Sequence, residues 1–338
     1  MIAVAVKPYR APWWLGGNSN TRFAEHAQTV YPSLFASHPH IDYQRERWDT
    51  TPHGKPDGDF IDVDRIVSTA NHHDRPMLVV FHGLEGGSQG GYALNLMREA
   101  EVRGWRGLVP HFRGCSGEMN RLPRAYHSGD AAEIEWILQR VKREAPHQPL
   151  YVVGISLGGN ASLKWYGDAG TDVVPVVTAA AAVSAPLDLA AAGEALERGF
   201  SRLYSYKFLR SMKRNALAKL AVHPGIFRED ALRAATTLRA FDNEVTAPLH
   251  GFRDTDDYWT RASSKPVLHN IAIPTLILNA KNDPFLPAAA LPSGANVSPY
   301  VRLDFPEHGG HVGFLTGGFP GTSGWMAERV FHFFEHGD

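Results

Sequence analysis

The stretch YVVGISLGGN, residues 151–160, runs an apolar segment straight into a lone serine, Ser156, set between Gly154 and Gly158. It reads either as an ordinary tight turn or as a G-x-S-x-G elbow that exposes a nucleophile. The surroundings suit the elbow, because PLYVV before it has the pattern of a buried strand and NASLKWYG after it that of a helix. A residue on so sharp a strand-to-helix turn sits in unfavourable backbone geometry, and side chains at the flanking positions would collide with neighbouring segments. The helix start behind the serine also favours developing negative charge. The pentapeptide is common by chance, so the rest of the chain has to decide.

Outward from Ser156, short β-branched runs recur with helical stretches between them: RERWDT, DFIDVDRI, PMLVVFHG, WRGLVPHFRG, PLYVVGIS, VVPVVTAAAAVSA, IPTLILNAKNDP and YVRLDFPEHGG. The middle runs are nearly all apolar, as strands buried on both faces of a parallel sheet must be. SGDAAEIEWILQRVKREAP lies between two of them, with Ile134, Ile137, Leu138 and Val141 at helical spacing and Pro146 closing it. The first two runs alternate more and flank PHGKPDGD, which reads as an antiparallel hairpin. The expectation is an α/β fold with a mostly parallel eight-stranded sheet flanked by helices. From about Pro186 to Leu268 the chain turns rich in Ala, Leu and Arg without a convincing strand. Such an insertion leaves the carboxyl end of a strand, where open sheets bind ligands, and is placed to roof the crevice. This gives an N-terminal arm over 1–43, a core over 44–185 and 269–338, and a helical cap over 186–268.

Composition narrows the function. The 338 residues are 43% hydrophobic with a net charge of −1, enough for a large core and without the basic excess that nucleic-acid binding requires. The single cysteine, Cys115, excludes an internal disulfide framework. The apolar start ends at Lys7 and Pro8, too short for a signal peptide, and no stretch approaches the ~18 apolar residues of a membrane span. No integral membrane segment is expected, and a cytoplasmic location is. The oligomeric state is not legible, and the sequons at Asn160 and Asn296 are taken as chance.

A serine hydroxyl needs a base to attack near neutral pH. In this architecture the partners follow in the order Ser, Asp or Glu, His, on loops at strand ends. After PTLILNA comes KNDPFLP with Asp283, and after YVRLDF comes PEHGGHVGF with His311. His308 competes for the base role but follows the strand closely, whereas Gly309 and Gly310 give His311 room to turn. Asp283 would fix the imidazole tautomer. The loop in VVFHGLEGGSQGGY suits backbone amides approaching a substrate, with Leu84 and Leu157 as the oxyanion pair. It lacks the Lys-Ser/Thr of a phosphate-binding loop, and His82 is read as a structural hydrogen bonder.

Taken together, FHGLEGG, HFRGCSG, YHSGD, GISLGGN, FDNEVTAPLHGF, YWTRASS, LNAKNDPF and HGGHVGF resemble the α/β-hydrolase superfamily. Within it the chain is similar to the YheT/EMB8 group, related to the animal ABHD1, ABHD2 and ABHD3 proteins; PWWLGG with HAQTVYPSLF resembles that group's N-terminal segment. The resemblance implies an α/β-hydrolase fold with Ser156 as nucleophile, Asp283 as orienting acid and His311 as general base. It also implies hydrolysis of a small acyl ester of short or medium chain length. On the residues themselves, no cofactor and no metal is expected. Thioester, lipase-like or perhydrolase chemistry on the same triad stays open, as does a non-catalytic binding protein. The group's second acidic residue is here Asn282, and His127 is followed at the fifth place by Ala132, so the H-x-x-x-x-D acyltransferase pattern is broken.

Other residues have plainer readings. Trp13 and Trp14 are expected as buried aromatics pinning the arm, and Cys115 as a small filler. His38 with His40 and His72 with His73 lack a carboxylate or thiolate at ligand spacing, and RDTDD at 253–257 reads as a solvated turn.

Overall fold

Eight strands make one sheet: β1 (Tyr43–Asp49), β2 (Phe60–Ile66), β3 (Met77–Phe81), β4 (Arg106–Pro110), β5 (Leu150–Ile155), β6 (Ala179–Val183), β7 (Thr275–Leu278) and β8 (Val301–Asp304), in the order β1-β2-β4-β3-β5-β6-β7-β8. The first two pairings, β1 with β2 and β2 with β4, are antiparallel, and all later ones are parallel. The computed structural model describes residues 6–16, 21–50, 58–67 and 74–338, so the hairpin is seen as its two strands while most of PHGKPDGD, with His72 and His73, falls outside.

The helices are α1 (Arg22–Phe35), α2 (Gly91–Val102), α3 (Ala131–Glu144), α4 (Leu157–Ala169), α5 (Leu189–Leu196), α6 (Arg202–Val222), α7 (Glu229–Ala234), α8 (Leu238–Phe241), α9 (Ala247–Leu249), α10 (Thr255–Ala262) and α11 (Trp325–His336). The all-apolar run of β3 follows from its position. Met77, Val79 and Phe81 join the cluster that holds Ile134, Ile137, Leu138 and Val141 of α3, while Leu78 and Val80 join α2 and α11 on the other face. Asp130 caps α3 by accepting from the Glu133 amide.

The run VVPVVTAAAAVSA is shorter as a strand than its sequence suggests. Only Ala179–Val183 is extended, and Val173, Val176 and Val177 are buried in the turns that precede it. Between β6 and β7 the described chain is helical, and it has an apolar cluster of its own: Leu209 and Ala216 of α6, Phe227, Leu232 of α7 and Phe241 of α8 pack with Phe285 and Leu286.

Candidate active site

β5 delivers Ser156 with φ 50° and ψ −119°, a conformation L-residues rarely adopt. The turn is held from both sides. The Ser156 amide donates to the Val183 carbonyl at 2.8 Å, and the Asn160 amide donates to the Ser156 carbonyl at 3.1 Å. A Cβ at Gly158 would lie 2.6 Å from the carbonyl oxygens of both Phe81 and His82, and one at Gly154 would lie 2.5 Å from the Gly159 Cα. The glycines therefore let the start of α4 sit against the ends of β3 and β5.

The strand order collects the partners. β6 separates β5 from β7, and β8 lies beyond β7, so all four parallel strands end on the edge that carries Ser156. Asp283, after β7, accepts from His311 Nδ1 at 2.8 Å through Oδ2, while its Oδ1 accepts from the Phe285 amide at 2.8 Å. A carboxylate only accepts, so Nδ1 of the neutral imidazole carries the proton and Nε2 is the free acceptor. Nε2 lies 3.0 Å from Ser156 Oγ. The Phe285 ring covers the imidazole, with centroids 4.2 Å apart. His308 is buried, and its Nδ1 has no hydrogen-bond partner among the described residues.

The loop bearing His311 is fixed by Asn282 and by three side chains that the sequence did not single out, Gln28, Thr29 and Ser184. Four consecutive amides each donate to a different one: Gly309 to Gln28 Oε1 at 2.9 Å, Gly310 to Asn282 Oδ1 at 3.0 Å, His311 to Thr29 Oγ1 at 3.0 Å and Val312 to Ser184 Oγ at 3.1 Å. Gln28 and Thr29 belong to α1. A Cβ at Gly310 would lie 2.7 Å from Thr29 Oγ1, so the glycine serves this close approach as well as its φ of +62°.

Beside the elbow, the loop after β3 passes so close that a Cβ at Gly83 would lie 3.3 Å from Ser156 Cβ. Among the described residues neither the Leu84 nor the Leu157 amide donates a hydrogen bond. His82 braces this loop. Its Nε2 accepts from the Phe112 amide at 3.0 Å, so its Nδ1 carries the proton given to the Gly83 carbonyl at 2.7 Å. Burial pushes its pKa down to about 3, which keeps that tautomer neutral. Glu85, at φ 54°, ties the loop to α6: its carboxylate accepts from Ser211 and from Asn215 Nδ2 at 3.0 Å, and from Tyr126 at 2.9 Å.

The remaining candidates stand apart. Burial, with the nearby Glu85 charge, pushes the Cys115 thiol up to about 12, which suits a filler. Trp14 is half-buried, not buried as expected; it meets the body through Nε1 to the Gly317 carbonyl at 3.3 Å and its ring against Phe319, and packs on Tyr31 within the arm. Trp13 does not pin the arm: it is 82% exposed, because Leu15 takes the inward position of the short turn Trp13–Leu15. His127 packs against His250 and Phe252 and is pushed down to about 4 by burial. Asp254 of RDTDD caps α10, accepting from the Asp257 amide at 2.8 Å. His40 pairs with Asp42, and among the described residues no group of three or more His, Cys, Asp or Glu side chains is arranged to hold a metal. Asn160 is fully buried and donates to the Ser128 and Ala262 carbonyls, so its sequon is closed to modification. No helix of the described residues is long and apolar enough to cross a membrane.

A mostly parallel sheet with a serine elbow after β5, and with Asp and His brought to it by β7 and β8, defines an α/β hydrolase. The chain belongs to the alpha/beta hydrolase fold family, whose model matches residues 76–318. Within that family it falls in the YheT/ABHD3-like group of ester-cleaving hydrolases. It is 41% identical to Escherichia coli (strain K12) YheT, named as a candidate esterase, over 90% of this chain and 88% of that protein. It is 31% identical to Mus musculus phospholipase ABHD3 over 100% of this chain and 87% of the relative. Among solved structures, Est1E from Butyrivibrio proteoclasticus shares the fold with a TM-score of 0.54 at 14% identity, over 86% of this chain and 97% of that one.

Proposed function

We propose that the chain is a serine carboxylesterase acting through an acyl-enzyme on Ser156. The observation that carries this is the continuous relay from Asp283 Oδ2 through His311 to Ser156 Oγ, with links of 2.8 and 3.0 Å. His311 Nε2 takes the hydroxyl proton as Oγ attacks the ester carbonyl, and the amides of Leu84 and Leu157 receive the oxyanion. The imidazolium, stabilised by Asp283, then protonates the leaving alcohol. Water, deprotonated by the same Nε2, attacks the acyl-enzyme and returns the carboxylic acid and free Ser156.

The helices over 186–268 serve in this reading as a cap. Phe285 faces the His311 ring on one side and Tyr204 of α6 at 4.8 Å on the other, giving an apolar wall beside the nucleophile. That wall supports an acyl substrate of short to medium length. Hydrolysis of p-nitrophenyl esters of increasing chain length tests it. The expected optimum lies at butyrate to octanoate, and Ser156→Ala should lower kcat by roughly 10⁶ and Asp283→Asn by about 10⁴, as in other triad enzymes. Wild-type rates from Ser156→Ala would overturn the reading.

A further inference from the structure

The longest helix, α6, has two unlike faces. Tyr204, Phe208 and Met212 turn inward with buried Leu209 and Ala216, and Tyr204 and Phe208 meet Phe285. On the opposite side Leu203 is 58% and Tyr206 68% exposed. With about 3.6 residues per turn, Leu203, Tyr206, Lys207, Arg210 and Arg214 share one arc of that helix. Exposed cations are ordinarily solvated and carry no message, and the neighbouring helices show that ordinary state: Arg198 pairs with Glu194 at 2.9 Å, Arg233 with Glu229 at 2.6 Å and Arg261 with Asp257 at 3.2 Å. α6 differs, because its sequence RLYSYKFLRSMKRNALAKLAV contains no acidic residue. Among the described residues none of Arg202, Lys207, Arg210 and Arg214 has a carboxylate within ion-pair distance.

We infer that the outer face of α6 is a docking surface for an anionic lipid bilayer. Leu203 and Tyr206 enter the boundary between headgroups and acyl chains, and Lys207, Arg210 and Arg214 meet the phosphates around them. The unpaired cations select negative charge, and the apolar side chains interleaved with them select a bilayer over a hydrophilic polyanion. In a chain with a net charge of −1 the attraction is local to this face. Docking there would set the apolar wall formed by Tyr204, Phe208 and Phe285 directly beneath the bilayer surface. This inference rests on the surface of α6 alone and does not depend on the chemistry proposed for Ser156.

Flotation of the full chain with vesicles tests it. Binding to phosphatidylcholine vesicles containing phosphatidylglycerol is expected, with none to pure phosphatidylcholine, and it should weaken as salt is raised. Lys207→Gln combined with Arg210→Gln should weaken binding roughly thirty-fold, from the usual contribution of a cation near an anionic membrane surface. Leu203→Ser with Tyr206→Ser should also release the protein, while Arg233→Gln, a paired cation elsewhere, should not. All these side chains are exposed, and an unchanged unfolding midpoint identifies the folded variants. Absence of binding to the anionic vesicles, or binding insensitive to the Lys207 and Arg210 changes, would overturn the inference. Retention on polyglutamate but not on vesicles would overturn it in favour of an acidic macromolecule.

Discussion

Asn282 Nδ2 donates to Gln28 Oε1 across 3.0 Å, joining the loop that bears Asp283 to the first helix of the chain. The same Gln28 oxygen accepts from the Gly309 amide at 2.9 Å, and Asn282 Oδ1 accepts from Gly310 at 3.0 Å. Two neutral amides thus lock the acid loop to the base loop. The second acidic residue that the family pattern places here would present oxygen to oxygen at this contact.

Gln28→Ala leaves the Gly309 and Asn282 donors without this acceptor in a buried place, at a cost of roughly 2–4 kcal/mol in stability. Asn282→Asp is the subtler change. If the Gln28 amide turns to donate to the new carboxylate, Gly309 loses its acceptor. Both variants should lower kcat about tenfold or more with a smaller change in KM, because a base misplaced by a fraction of an ångström harms the reaction more than binding. Steady-state kinetics and thermal unfolding of the two variants check this.

Glu85 joins the amide-bearing loop beside Ser156 to Ser211 and Asn215 of α6. Glu85→Ala should cost roughly tenfold in kcat by freeing the Leu84 amide, and Glu85→Gln should recover part of it, since one acceptor oxygen remains. Ser211→Ala with Asn215→Ala should reproduce the loss from the helix side. The comparison of kcat across these variants, on one ester, decides whether the contact matters.

Asp242 is buried within the helical segment between β6 and β7, where Thr246 and Trp259 donate to it at 2.6 and 2.9 Å. Burial outweighs those bonds and pushes its pKa from 3.8 up to about 6. A carboxyl raised on folding favours the protonated native state, so its contribution is whole below pH 3.8 and is lost as pH rises through about 6. The loss amounts to about 3 kcal/mol. Asp242→Asn keeps both partners, because the Thr246 hydroxyl can reverse to accept. Denaturant unfolding across that window should show stability falling with pH in the native chain relative to the variant.

Gly158→Ala would press a methyl group against the Phe81 and His82 carbonyls at 2.6 Å. Backbone cannot yield as a flexible side chain does, so the variant should lose about 3 kcal/mol or fail to accumulate. Circular dichroism during heating measures it.

How much of this was legible turns on range. The β5 strand, the Ser156 elbow and the α3 stripe of Ile134, Ile137, Leu138 and Val141 are local patterns, and each was readable as strand or helix. Asp283 and His311 were reachable by chain order and strand ends, without any contact being known. Gln28, Thr29 and Ser184 were not. Their partners lie far along the chain, Gln28 and Asn282 being 254 residues apart, and no periodicity encodes such a pairing. Gln28 and Thr29 are polar residues that α1 buries, and only the structure shows that burial. Trp13 was misread because aromatic character argues for burial in general, while the turn of Trp13–Leu15 turns only Leu15 inward.

The most direct test of the central claim is covalent. A fluorophosphonate reacts with a serine only when its hydroxyl is activated and the oxyanion is supported. Intact mass after labelling should show one adduct per chain, mapped to the peptide containing Ser156. Ser156→Ala should show none, and His311→Ala should label far more slowly. An adduct that persists in Ser156→Ala, or that maps to another residue of the native chain, would contradict the assignment of Ser156 as the nucleophile.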